Sequence, residues 1–215
     1  MKVVSLIPAR HGSKGIPNKN LINLCGKPLI YYSIKASENS IVEETWVSSD
    51  SNEILEVSKN LGAKTIKRPS KISNDQSTSE EALLHFASNV EFDIIVFIQC
   101  TSPQIESNDI NQGIEKMKNY DSVVSVCETS QMFWDSNGPL YDLNNRYRRQ
   151  DGVKKYLETG SFFITTKNNL LKSNNRLSGN IGFVEIPKSR SFDIDTYEDL
   201  KIVETLINSK AITNE

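Results

Sequence analysis

Arg10, Lys14 and Lys19 fall in one short stretch, Pro8–Asn20, with Gly12, Ser13 and Gly15 among them. Glycines let a backbone bring its N–H groups close to an anion, a serine adds a hydroxyl donor, and the cations supply charge from several sides. Pro8 and Pro17 restrain the loop at either end. Directly upstream, Val3-Val4-Ser5-Leu6 reads as a buried strand, and a strand opening into such a loop is suited to an anion, here read as a nucleotide triphosphate. Neither Gly-x-x-x-x-Gly-Lys-Ser/Thr nor Gly-x-Gly-x-x-Gly occurs, so kinase, ATPase and dehydrogenase readings lose their main support. Taken alone, such a cluster is as often a solvated basic loop.

Asp193-Ile194-Asp195 is the second candidate. Two carboxylates one residue apart at a strand or loop edge can point the same way and hold Mg²⁺, leaving its other positions for phosphate oxygens and water. The competing reading is a helix N-cap, because Asp195-Thr196 precedes a helical pattern with Glu198-Asp199 in its first turn. His11 and His85 have no metal-ligand spacing, and His85 is expected at a helix surface or boundary. Cys25, Cys100 and Cys127 are widely spaced without a Cys-x-x-Cys, and read as buried small apolar residues.

Pro8–Asn20 resembles the N-terminal signature of the acylneuraminate cytidylyltransferases, which make CMP-activated sialic and related nonulosonic acids from CTP. The resemblance implies that Ala9, Arg10, Gly12, Ser13, Lys14, Lys19 and Asn20 contact the nucleotide. Arg68-Pro69 and Asn74–Ser79 resemble the family's cytosine and ribose contacts, which adds Arg68, Ser77 and Ser79; the other reading of Ser77-Thr78-Ser79 is a polar loop capping the next helix. Gln99-Cys100-Thr101-Ser102-Pro103 is similar to the family's Gln-x-Thr-Ser-Pro, implying that Gln99, Thr101 and Ser102 serve the acceptor sugar. Phe192–Leu200 resembles the C-terminal signature, in which the residues matching Asp193 and Asp195 bind the metal, expected to be Mg²⁺. Catalytic roles are implied for Arg10, Lys14 and Asp195. The chain departs from the family at Gln104-Ile105, where Leu-Arg is common, and at Glu158-Thr159, where many members have Asn-Gly.

The elements that must position these residues follow from the apolar pattern. Apolar runs alternate with helical patterns along the chain, which predicts an α/β fold with a mostly parallel sheet. The resemblance makes it Rossmann-like, of nucleotide-diphospho-sugar transferase type. Strands are expected at 45–48, 63–66, 93–99, 123–126, 161–165 and 181–186, with helices at 29–37, 54–61, 83–90, 110–117 and 196–207. The run from Asp93 to Gln99 should be central, because a strand covered on both faces need not alternate. In such sheets ligands bind beyond the carboxyl ends of the strands, where the first loop, Asp50, Gln99 and Glu128 should converge. Residues 128–157 break the pattern, and 131–157 are read as an arm projecting from a single domain of 1–215. Its Met132, Phe133, Trp134 and Tyr147, mixed with arginines, point to a homodimer interface. The resemblance carries Arg148, Arg149 and Gln150 of that arm towards the sugar carboxylate.

The 215 residues carry a net charge of −2, with 37% hydrophobic and 24% charged residues. That balance argues against a nucleic-acid surface, and no apolar stretch reaches membrane-spanning length. The expected protein is cytoplasmic, with CTP and a nonulosonic acid as its small-molecule partners. Two alternatives remain: another sugar nucleotidyltransferase, acting on 3-deoxy-manno-octulosonate or with UTP, or a metal-dependent glycosyltransferase with its own Asp-x-Asp. A non-enzymatic nucleotide-binding module is a third class, which turnover would exclude.

Overall fold

The apolar run at the start of the chain forms β1 (Val3–Pro8), whose residues from Val3 to Ile7 are all buried, as a strand covered on both faces requires. The computed structural model describes residues 1–213 except 14, 145, 147 and 149–153, with side chains to residue 209. After the first loop comes the small hairpin of β2 (Asn23–Leu24) and β3 (Lys27–Pro28), turning through Cys25 and Gly26, both at positive φ. Cys25 is only half-buried, unlike Cys100 and Cys127, so its reading as a core residue is corrected by the exposed turn it occupies.

Then follow α1 (Ile30–Glu38), β4 (Glu44–Ser49), α2 (Asn52–Asn60) and β5 (Lys64–Lys67). Ser51 Oγ caps α2 by accepting the Ile54 amide at 3.4 Å, and Gly62 ends it with φ at 103°, a conformation that costs glycine little. Next are α3 (Ser79–Ala87), β6 (Ile94–Ile98), α4 (Ser107–Lys116) and β7 (Ser122–Thr129). The last part comprises β8 (Trp134–Asp135), β9 (Gly138–Pro139), β10 (Lys155–Thr166), α5 (Lys167–Ser173), β11 (Ile181–Glu185) and α6 (Tyr197–Thr213). Helix α5 was not legible in the apolar pattern, since Leu170 is its one buried residue.

The described residues form a seven-stranded sheet in the order β11-β7-β10-β6-β1-β4-β5, with β6 at its centre. Neighbours are parallel except β10, which runs antiparallel to both β6 and β7. Helices α1, α2, α4 and α6 cover one face through Ile30, Ile34, Ile54, Ile110, Ile114 and Val203; α3 and α5 cover the other through Leu83, Phe86 and Leu170. Each fully buried phenylalanine of this core, such as Phe97 or Phe162, contributes roughly 2 to 3 kcal/mol relative to exposure.

Strand β10 corrects the expected limits of the arm. Lys155, Tyr156 and Leu157 pair with Thr129, Glu128 and Cys127, so both ends of the 128–157 stretch belong to the sheet. Glu158-Thr159-Gly160 looked like an interruption because it is a β-bulge: Gly160 has φ at 72°, and the register shifts between Glu158 and Phe163. Between β7 and β10 the hairpin of β8 and β9 pairs Trp134 with Pro139, and the rings of Trp134 and Tyr141 meet edge to face at 6.2 Å. Phe133, Trp134, Leu140 and Leu143 are exposed there.

Candidate active site

Pro8 ends β1, and the chain beyond it is shaped by side-chain bonds to its own and neighbouring backbone. Ala9 is buried in the core with its amide donating to Ser48 O at 2.9 Å, and Asn20 Nδ2 reaches back to Arg10 O at 3.0 Å, closing the loop on itself. The His11 amide donates to Asp50 Oδ1 at 2.8 Å. Arg10 Nη1 lies 2.7 Å from Asp75 Oδ1, so this cation faces the 74–79 segment. Gly12, at φ 75°, and Gly15 have different uses: a side chain at Gly15 would overlap the backbone oxygen of Asp195. The first loop therefore packs directly on the aspartate segment. Lys14 lies outside the described residues.

The aspartate segment resolves the two readings of its sequence. Thr196 and Asp199 cap α6 reciprocally: the Thr196 hydroxyl accepts the Asp199 amide at 3.2 Å, and Asp199 Oδ2 accepts the Thr196 amide at 2.8 Å. The Thr196 hydroxyl, donating to Asp199 Oδ2 at 2.8 Å, together with the Thr196 amide holds the Asp199 carboxyl below its ordinary range. Asp195 is thus no cap. Its carboxylate pairs with Lys19 Nζ at 2.7 Å, and both residues line a cavity of about 460 Å³. Asp193 is more enclosed, and its Oδ1 accepts the Ser102 hydroxyl. Burial pushes the Asp193 carboxyl above its ordinary value, with Asp195 adding to the shift and Ser102 opposing it. The bulge at Gly160 lies beside this carboxylate, since a side chain there would meet Asp193 Oδ2 at 3.6 Å.

The other walls come from strand ends. Gln99 and Thr101 follow β6, and the Gln99 amide donates to Ser161 O at 2.9 Å. Arg68 follows β5, its amide bonded to Ser49 O at 2.8 Å. The Arg68 side chain is buried, and Nε has no hydrogen-bond partner among the described residues. Desolvation pushes its guanidinium down from its ordinary value, with nearby Arg10 adding to the shift and Asp50 opposing it. Such a group at a cavity wall is ready for a polar ligand. Thr78 caps α3 in a capping box with Glu81, as the capping reading of this segment expects, and Ser77, Thr78 and Ser79 also line the cavity.

The structure brings Arg10, Ser13, Lys19, Asn20, Arg68, Ser77, Ser79, Gln99, Thr101 and Asp195 to this one cavity. Ala9, Gly12, Ser102 and Asp193 are not among its lining residues, although Ser102 and Asp193 support it from behind. Arg148 is exposed, and Arg149 and Gln150 lie outside the described residues. Sequence reasoning overlooked Pro8, Thr78 and Cys100 in the lining; burial pushes the Cys100 thiol up to about 12. It also overlooked Arg190, buried against Asp109. Pro8, Thr78 and Cys100 shared the signal of a position next to a strand end or within a matched motif, which Arg190 did not.

A divalent ion suits the donor set. Two carboxylates offer hard oxygens, a metal would offset the charge that burial disfavours at Asp193, and the flanking cavity leaves room for phosphate oxygens. Among the described residues no three His, Cys, Asp or Glu side chains gather as a self-sufficient cluster. An ion here would draw its further ligands from substrate and water.

Comparison with known proteins agrees with this geometry. A solved CMP:2-keto-3-deoxy-manno-octonic acid synthetase complexed with CTP has the same fold, with a TM-score of 0.78 and 20% identity over 98% of this chain and 100% of that one. Pseudaminic acid cytidylyltransferase of Campylobacter jejuni (strain 81-176) is 31% identical, covering 96% of both chains. N-acylneuraminate cytidylyltransferase B of Danio rerio is 37% identical over 93% of this chain and 50% of its own length. The chain spans about half of that relative. A family profile described as cytidylyltransferase matches residues 4–214, from β1 through the end of the last helix. With residues of the basic loop, Gln99 and Thr101 of the Gln-x-Thr-Ser-Pro turn, and Asp195 lining one cavity, the chain belongs to the cytidylyltransferase family.

Proposed function

We propose that the protein is a CTP-dependent cytidylyltransferase that activates a nonulosonic acid. The observation that carries the reading is the meeting of Arg10, Ser13 and Lys19 from the first loop with Arg68, Gln99 and Asp195 around one cavity. Cations suited to a triphosphate, a buried arginine suited to a pyrimidine edge and a polar side chain suited to a sugar thus face a common space.

In this reading the acceptor's anomeric oxygen bonds to the α-phosphorus of CTP. The bond from that phosphorus to the bridging oxygen breaks, and pyrophosphate leaves with the electron pair. The hydroxyl proton passes to Asp195 or to solvent. Arg10, Lys14 and Lys19 hold the triphosphate in line and neutralise charge as the leaving group departs. Asp193 and Asp195 would hold Mg²⁺, which would supply further charge neutralisation. Lys19 would exchange its bond to Asp195 for the triphosphate. Gln99, Thr101 and Ser102 orient the sugar, and Arg148, Arg149 and Gln150 of a partner chain approach its carboxylate.

The homodimer belongs to this proposal, supported by the exposed Phe133, Trp134, Leu140 and Leu143 between β7 and β10. A cytoplasmic location belongs to it as well; no described helix is long and apolar enough to cross a membrane. The test is pyrophosphate release with CTP or UTP, Mg²⁺, and sialic, legionaminic, pseudaminic or 3-deoxy-manno-octulosonic acid. CTP with one of the nine-carbon acids should give turnover. Preference for UTP, for the eight-carbon acid, or no release with any pair would overturn the reading.

A further inference from the structure

Arg190 closes the short 3₁₀ turn Lys188–Arg190 and is buried, as is its partner Asp109 near the start of α4. Nη2 donates to Asp109 Oδ1 at 2.9 Å and Nη1 to Asp109 Oδ2, while Nη1 also reaches the backbone oxygen of Gln104 at 3.3 Å and stands 3.5 Å from Glu106 Oε2. Asp109 Oδ2 in turn accepts the Glu106 amide at 2.9 Å. Farther along the same segment, the Ile194 amide donates to Thr101 O at 2.9 Å, and Ser102 donates to Asp193. The strand of chain carrying the two aspartates is therefore stitched to the loop carrying Gln99, Thr101 and Ser102 at three places. Each of these is a single hydrogen bond, that of Arg190 going to the Gln104 carbonyl, and Arg190 adds a forked, charged grip on Asp109 in α4, the helix that follows the loop.

Stability alone does not call for such a pair, because apolar residues of similar volume often serve a core equally well or better. A guanidinium does what they cannot: one edge binds a carboxylate while a remaining N–H serves a carbonyl, so two backbones are held at a set distance. We infer that Arg190 is a positioning residue, which sets Asp193 and Asp195 against the Gln99–Gln104 loop and so aligns metal and acceptor sites without touching either ligand. The inference rests on the cytidylyltransferase reading proposed above.

The test compares the wild type with Arg190→Lys and with the double variant Arg190→Met/Asp109→Leu, which removes both charges and leaves neither buried alone. Thermal melting, steady-state kinetics, and Mn²⁺ binding in the presence of CTP, read by electron paramagnetic resonance, are measured for each. The double variant should melt near the wild type and keep its KM for CTP, while kcat falls and the Mn²⁺ dissociation constant rises about 10- to 100-fold. Arg190→Lys, which keeps the charge without the fork, should show the same pattern more weakly. A stable double variant with wild-type kcat and Mn²⁺ binding would overturn the inference, as would wild-type values for Arg190→Lys beside an unfolded double variant. Should the wild type release no pyrophosphate, the functional reading fails, and Mn²⁺ binding still decides whether Arg190 positions the aspartates.

Discussion

Lys19 Nζ sits 2.7 Å from Asp195 Oδ1, so the last cation of the N-terminal loop and the second carboxylate of the C-terminal signature touch across 176 positions of sequence. The Lys19 side chain is 12% exposed and that of Asp195 73%. A pair this exposed on one side contributes little to stability. Both groups line the cavity, and under the proposed function each would exchange the other for phosphate or metal.

The first expectation concerns Asp195→Asn. Because Thr196 and Asp199 cap α6, the substitution leaves the cap intact, and circular dichroism and melting should match the wild type. Turnover should fall roughly a hundredfold or more as charge stabilisation is lost. Near-normal pyrophosphate release at saturating Mg²⁺ would remove Asp195 from the metal site.

Gly15→Ala tests the seam between the two signatures. The added carbon collides with the Asp195 carbonyl oxygen, which is backbone and has no rotamer to escape into. One segment must shift, and turnover should drop about tenfold or more, since small misplacements near a reacting centre are costly. An unchanged kcat would show that the seam yields freely.

Asp193→Asn should separate stability from activity. Burial raises the Asp193 carboxyl above its ordinary value, so its favourable contribution to folding is complete below the unfolded value and is lost as pH rises through the folded one. At neutral pH the ionised group burdens the metal-free protein. The variant should therefore melt no lower than the wild type at pH 7, and any advantage should shrink as pH falls towards about 4. Turnover should nevertheless collapse. A clear loss of melting temperature at pH 7 would contradict the assignment of burial as the dominant cause.

Lys14→Ala should raise the KM for CTP strongly while leaving the order of preference among acceptor acids unchanged, as expected of a group acting on the triphosphate. Kinetic constants with CTP varied against two acids provide the measurement. Normal CTP kinetics would place Lys14 outside the nucleotide site.

The arm is tested by mass and by mixing. Sedimentation at micromolar concentration should show a dimer, and a fully active monomer would refute it. If active sites are shared between chains, Arg149→Ala mixed with Asp195→Asn should recover part of the activity that each lacks alone. No recovery in a proven mixed dimer would confine each site to one chain.

The sequence by itself determined what is local. The α/β alternation, the central place of Ile94–Ile98, the turn at Gly62 and the cation-rich loop after β1 were legible because apolar periodicity, glycine positions and charge are properties of neighbouring residues. The four segments that resemble the family were visible for the same reason. Only the tertiary structure decided how they meet. Asp-x-Asp before a helix favours a cap when read alone, and only the structure gives that cap to Thr196 and Asp199 and leaves Asp195 paired with Lys19 at the cavity. Lys155–Leu157 looked like arm because a strand's partners are set by distant chain: the bulge at Gly160 carries β10 past an apparent break to pair with the end of β7. Arg190 gave no local sign, since its partners Asp109 and Gln104 lie more than eighty residues away. Pairing, register and buried charge are settled by contacts between remote segments, and those contacts turn the legible pieces into one site.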